Sequence, residues 1–210
     1  MIILLVAFSA GLYVGLKPAI TDENTRSDAD LRTAQALEAG TLLTPSRALQ
    51  PISLHSATDA ELTLGDLQNR WTLVFFGFTN CPNICQPTMQ LLSRVQARIA
   101  AKDESRVPDI LLVTVDPQHD DADTLLRYTQ VFGDQITGAT GDIDAIRAFA
   151  SDLGVLFQRV ELGEDQYTVD HSGTVLLLDP DARLRAIFSP PLGAVGIAND
   201  IMTLTEGAGA

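Results

Sequence analysis

"WTLVFFGFTNCPNICQPTMQLLSRVQARIAAK", residues 71–102, decides the fold. Residues 71–78 form an apolar run rich in aromatic and branched side chains, which predicts a strand buried on both faces. Residues 87–102 place Thr88, Leu92, Val95 and Ile99 at helical spacing, behind a proline, Pro87, suited to a first turn. Between strand and helix lies "FTNCPNICQP" (78–87), which holds both cysteines of the chain, Cys81 and Cys85.

Outward from this unit, strands and helices alternate. "DILLVTVD" (109–116) reads as a second buried strand. Helices are expected at about 121–132 and 142–153, the second opening after Asp142, followed by short strands at 155–160, 167–169, 174–179 and 184–188. "PDAR" (180–183) is a hairpin turn between the last two strands, and a final helix covers about 193–205. Strand, helix, strand in the first half gives a parallel unit with a right-handed crossover. The late hairpin adds antiparallel strands. The expected class is α/β, a thioredoxin-like mixed sheet flanked by helices, with an N-terminal transmembrane anchor. The expected division is an anchor or uncleaved signal at 1–17, a polar juxtamembrane linker at 18–40 and the thioredoxin-like domain at 41–207.

The anchor expectation rests on "MIILLVAFSAGLYVGL" (1–16), which has no charged side chain and ends at Lys17 and Pro18. The run is short for a full span, but no basic residue precedes it and no good A-x-A cleavage site follows, so an anchor is preferred over a cleaved signal. The polar stretch "DADLRTAQALEAG" (28–40) fits a short helix with Asp28 or Asp30 as N-cap and Gly40 just past its end, although a simple spacer is the preferred reading.

Composition narrows the function. The net charge of −13 over 210 residues excludes a nucleic-acid binder, which needs a basic face. Two cysteines are too few for a disulfide-stapled scaffold, and they lie close enough to be one site. One helical turn, about 6 Å, separates them, so a disulfide is within reach. Free amides at a helix start lower thiol pKa values, and thiolate serves both as nucleophile and as metal ligand. The spacing therefore admits redox chemistry and metal binding alike. Two thiolates prefer soft ions such as Cu(I). An inert buried pair is the bland alternative, and the flanking prolines and asparagine argue against it.

The histidines are His55, His119 and His171. His171, in "YTVDHSGTVLLLD", sits at the entry to a strand expected to neighbour the cysteine-bearing strand, so it can face the sulfurs. A histidine beside a strand is more commonly a surface or satisfied core residue. His119, in "DPQHDD", shares that end of the sheet, and His55 reads as an ordinary loop histidine. Met89 offers a thioether but fits a core position better. Asp170 is either an orienting partner of His171 or solvated.

Taken together, "FFGFTNCPNIC", "VTVDPQHDD", "TGD" and "VDHSGTVLLLDPDARLRAIF" resemble the Sco/SenC family of copper proteins. The resemblance implies a thioredoxin-like fold, copper held as Cu(I) or Cu(II) by Cys81, Cys85 and His171, and assembly of the copper centre of cytochrome c oxidase. It implies as partners the copper-accepting oxidase subunit, a copper donor protein and a membrane held through residues 1–17. The domain is then expected on the periplasmic side of the bacterial inner membrane. Two positions depart from the family pattern. Gln86 intervenes between the second cysteine and its proline, and His119 stands where arginine is usual, so His119 is a candidate to assist or replace a ligand.

Three functions remain open. The first is a copper chaperone, which is not strictly an enzyme. The second is a membrane-anchored thiol–disulfide oxidoreductase, with Cys81 and Cys85 as its redox pair, acting on the cysteines of the copper acceptor. The third is a thiol peroxidase. Against the second stand the C-x-x-x-C spacing and the lack of a proline in "VDHSG"; against the third, the absence of P-x-x-x-T-x-x-C.

Overall fold

The computed structural model describes residues 37–58, 60–163 and 166–206. In chain order its elements are β1 (Gly40–Arg47), β2 (Leu54–Ser56), β3 (Glu61–Leu62), β4 (Thr72–Gly77), α1 (Cys85–Ala100), β5 (Asp109–Thr114), α2 (Ala122–Gln130) and β6 (Ile136–Thr140). They continue with α3 (Ile143–Asp152), β7 (Phe157–Gly163), β8 (Gln166–His171), β9 (Val175–Leu178), β10 (Leu184–Phe188) and α4 (Ala194–Glu206).

Eight strands form one mixed sheet in the order β1-β10-β9-β4-β5-β6-β2-β3. β4, β5 and β6 run parallel, while β9 pairs antiparallel with β4. β4 is central and all six of its residues are buried, as its unbroken apolar run requires of a strand covered on both faces.

Strand alternation shows what covers each face. On one face the missing Cβ of Gly77 makes room for Cys85 of α1, and Gly138 does the same for Leu125 of α2. On the opposite face Phe76 packs against Phe149 of α3, with ring centroids 5.7 Å apart. α1 buries Cys85, Met89, Leu92, Val95, Gln96 and Ile99 as one helical stripe and packs on α4. The layered α/β expectation is met.

Several details differ. Gly40 opens β1, where a side chain would strike the Phe188 ring, 2.6 Å from its Cβ position, and most of the short helix considered for 28–40 lies outside the described residues. The buried carboxylate of Asp200 in α4 accepts the main-chain N–H groups of Glu38, Ala39 and Gly40 at 2.6, 2.8 and 2.9 Å. The residues read as the end of a linker are therefore fastened to the last helix. β7 and β8 pair only with each other, as a separate two-stranded hairpin, among the described residues. No helix among the described residues is long and apolar enough to cross a membrane, and the anchor expected at 1–17 lies outside them.

Candidate metal centre

The strand–loop–helix unit delivers the sulfurs. Gly77 ends β4, and its Cβ position lies 3.0 Å from Cys85 Sγ and 2.9 Å from the Phe75 ring. A side chain at 77 would push the sulfur out of place, so glycine is the residue that fits. Cys85 is the first residue of α1 and is buried; Cys81, in the preceding loop, is half-exposed. No side-chain oxygen caps this helix. Instead the Cys81 sulfur faces the amides of Asn83, Ile84 and Cys85. Pro87 falls in the first turn, where its missing N–H costs nothing.

His171 ends β8, with three residues between it and β9, rather than beginning a strand of the main sheet. Its Nε2 lies 3.4 Å from Cys85 Sγ. Its Nδ1 is 3.1 Å from the Ser172 carbonyl, which can only accept, so the proton sits on Nδ1 and the Nε2 lone pair points at the sulfur. The rings of Phe75 and Phe78 stand edge-on to the imidazole at centroid distances of 5.8 and 6.0 Å. The donor atoms of Cys81, Cys85 and His171 all lie within 4.8 Å of one another. Asp170 is exposed, and the partner that orients the imidazole is the Ser172 carbonyl.

Burial and hydrogen bonding split the two thiols. Burial pushes Cys81 up, but the Cys85 side chain and the helix-start amides outweigh it and leave the Cys81 thiol below its ordinary value. Burial, with the Cys81 sulfur beside it, pushes the Cys85 thiol well above its ordinary value. Burial lowers His171, only partly offset by the Ser172 carbonyl and the Asp170 charge. At neutral pH the centre therefore holds one thiolate-prone sulfur, one protonated sulfur and a neutral imidazole.

The donor set suits a soft ion. Three ligands about 2.0–2.3 Å from one ion stand roughly 4 Å apart, close to the spacing here. A structural zinc site takes four protein ligands, and this trio is the one such cluster among the described residues.

His119 does not join the cluster. Its Nδ1 lies 2.9 Å from Asp116 Oδ2 and 2.7 Å from the Tyr167 hydroxyl. His55 is exposed on β2, paired with Glu61 and Thr140 near the far edge of the sheet. Met89 is fully buried in the core.

The sequence reading missed the aspartates that hold the site. Fully buried Asp120 accepts from Thr79 N (3.0 Å), Thr79 Oγ1 (2.5 Å) and Thr114 Oγ1 (2.7 Å), tying the loop before Cys81 to the end of β5. Thr114 Oγ1 in turn accepts the N–H of Asp116 at 2.9 Å. Both acids lie within "VTVDPQHDD", but only distant partners, Thr79 for Asp120 and Tyr167 for Asp116, 41 and 51 residues away, reveal the role.

Fold and site together define a thioredoxin-like domain whose chemistry is a cysteine pair faced by one histidine. The SCO1/SenC family description matches residues 42–206, and the chain belongs to that family. It is 31% identical over 167 residues to a protein of Stutzerimonas stutzeri named for copper binding, covering 79% of this chain and 81% of that one. It also matches the mitochondrial SCO2 homologs of mouse and human, of whose length it spans about half. Among solved structures it resembles apo Sco1 of Thermus thermophilus, with TM-score 0.70 and 28% identity over 79% of this chain and 95% of that one. ScoI of Bradyrhizobium japonicum with copper bound gives TM-score 0.65 and 27% identity over 73% and 97%.

Proposed function

We propose that this protein is a copper chaperone, which binds copper through Cys81, Cys85 and His171 and passes it to the copper-accepting subunit of cytochrome c oxidase. The observation that carries this is the convergence of two sulfurs and an imidazole nitrogen within 4.8 Å, a soft donor set matched to Cu(I). The membership of the SCO1/SenC family supports it. In this reading copper is cargo, received from a donor protein. Residues 1–17 hold the chain to the bacterial inner membrane, with the domain on the periplasmic side.

Copper titration of the purified protein, against a competing chelator, tests the ligand set. Cys81→Ala, Cys85→Ala and His171→Ala should each lower affinity at least about tenfold, and His55→Ala should leave it unchanged. Oxidising Cys81 and Cys85 to a disulfide should abolish binding, and reduction should restore it, because the disulfide consumes both thiolates. Full binding by His171→Ala would remove the assignment.

A second reading, thiol–disulfide exchange with the cysteines of the copper acceptor, is favoured by the split between the thiols. A thiolate-prone, half-exposed Cys81 is placed to attack, and a protonated, buried Cys85 to resolve the mixed disulfide. Limited alkylation near pH 7, read by mass spectrometry, should modify Cys81 well before Cys85. In a deletion strain, oxidase activity separates the two readings. Loss with His171→Ala as severe as with Cys81→Ala supports copper transfer, whereas near-normal activity with His171→Ala supports reduction.

A further inference from the structure

Successive residues of β8 point to opposite faces of the hairpin, so Tyr167, Val169 and His171 share one face. Val169 is buried and Tyr167 and His171 half-buried, while Gln166 and Asp170 are exposed, so the shared face is the inward one. It meets the body of the domain at three points. His171 reaches the Cys85 sulfur, Val169 enters the core, and Tyr167 reaches the loop that follows β5.

The third contact is a closed ring of hydrogen bonds. The Tyr167 hydroxyl lies 2.7 Å from Asp116 Oδ1 and 2.7 Å from His119 Nδ1, and His119 Nδ1 lies 2.9 Å from Asp116 Oδ2. One set of protons satisfies all three contacts. Tyr167 donates to Asp116 Oδ1, and the Nδ1–H of His119 is shared between Asp116 Oδ2 and the tyrosine oxygen. Burial and the Asp116 carboxylate push the tyrosine pKa up to about 12, so the hydroxyl remains a donor. From β7, Arg159 places its guanidinium 3.6 Å from the Tyr167 ring centroid and donates to Gln118 Oε1 at 3.3 Å. Since β7 and β8 pair only with each other among the described residues, no sheet register sets the distance between His171 and the sulfurs.

We propose that Tyr167 is a positioning residue for His171. By closing the ring with Asp116 and His119 it docks the hairpin on the body, and four residues along the strand, about 13 Å, this docking holds the imidazole opposite the sulfurs. The inference rests on the copper reading and adds to it how the third ligand is held.

The test is Tyr167→Phe in the full chain, which removes only the hydroxyl. Cu(I) affinity, measured against a chromophoric chelator, should fall about three- to tenfold, by analogy with groups that orient metal ligands. Imidazole scattering in the copper X-ray absorption spectrum should weaken, while the Cys81 alkylation rate stays close to that of the parent. His119→Ala opens the ring at its more exposed member and should give a smaller loss of the same kind. In a His171→Ala background Tyr167→Phe should cause no further loss, because its effect passes through the imidazole. Undiminished affinity in both ring variants, or an equal loss with and without His171, overturns the inference. If His171→Ala alone binds copper like the parent, the copper reading fails and takes the inference with it. If His171→Ala binds weakly while the ring variants bind normally, the inference alone fails.

Discussion

Cys81 and Cys85 hang from the junction of β4 and α1 in the middle of the eight-stranded sheet, whereas His171 ends a hairpin outside it. The sulfur side is held by sheet register, by a helix start and by Asp120, which joins the loop at Thr79 to the end of β5. The imidazole side is held by side-chain contacts alone, from Tyr167, Val169 and His171 on β8 and from Phe157 and Arg159 on β7. The difference assigns roles. A rigid junction presets the geometry and acidity of the thiols, and an appended arm brings the proposed third ligand to it. Disturbance of the junction should therefore damage thiol and copper chemistry together, and disturbance of the arm copper chemistry alone.

Asp120→Ala should have the largest effect. It strands one main-chain donor and two hydroxyl donors, for a loss of about 3 kcal/mol in chemical denaturation. With the Thr79 tether gone, both copper affinity and the difference in alkylation rate between Cys81 and Cys85 should fall. Unchanged thiol reactivity in a folded Asp120→Ala protein would show that the junction does not depend on this carboxylate.

The same contrast explains what was legible in sequence. β4 and α1 were readable because an uninterrupted apolar run and a helical stripe are local signals, and the cysteines lie between them. The identity of His171 as third donor came from the resemblance, while its seat at the end of a hairpin depends on contacts with the 116–119 loop. β6, "ITGAT", escaped notice because Gly138 breaks its apolar pattern, and that glycine is needed where Leu125 crosses. β1 is weakly patterned, and its place beside β10 depends on Phe188 packing over Gly40 and on Asp200 binding the chain before it.

Gly77→Ala sharpens the comparison at smaller cost. The added methyl would meet Phe75, Cys85 Sγ and Leu112 at 2.9, 3.0 and 3.3 Å, and overpacking of this kind costs about 1–3 kcal/mol. Because the nearest sulfur is a proposed ligand, copper affinity should fall along with stability, while Tyr167 fluorescence or any other probe of the hairpin ring should not change. A change at Tyr167 equal to that at Cys85 would show the two sides to be one cooperative unit.

The smallest effect belongs to the imidazole side and appears as a pH dependence of the metal-free protein. Burial lowers the His171 pKa in the folded state from an ordinary value of 6.5, so the unfolded chain takes up this proton at a higher pH than the folded one. The stability this group contributes is complete above about pH 6.5 and is lost as pH falls through the lower folded-state value. Cys85 carries the opposite sign. Its raised pKa keeps it protonated in the fold, so its contribution is complete below the ordinary thiol value of 9.0 and declines only at alkaline pH. The two sides of the centre thus have separate pH edges. Carboxylates also titrate below pH 6, so the measurement is a difference. Urea unfolding of parent and His171→Gln across pH 5 to 8 should show the parent losing stability more steeply below about 6.5, with the curves parallel above it. Parallel curves throughout would mean that the arm leaves His171 as well hydrated when folded as when unfolded, and that the hairpin does not close over the centre in the absence of metal.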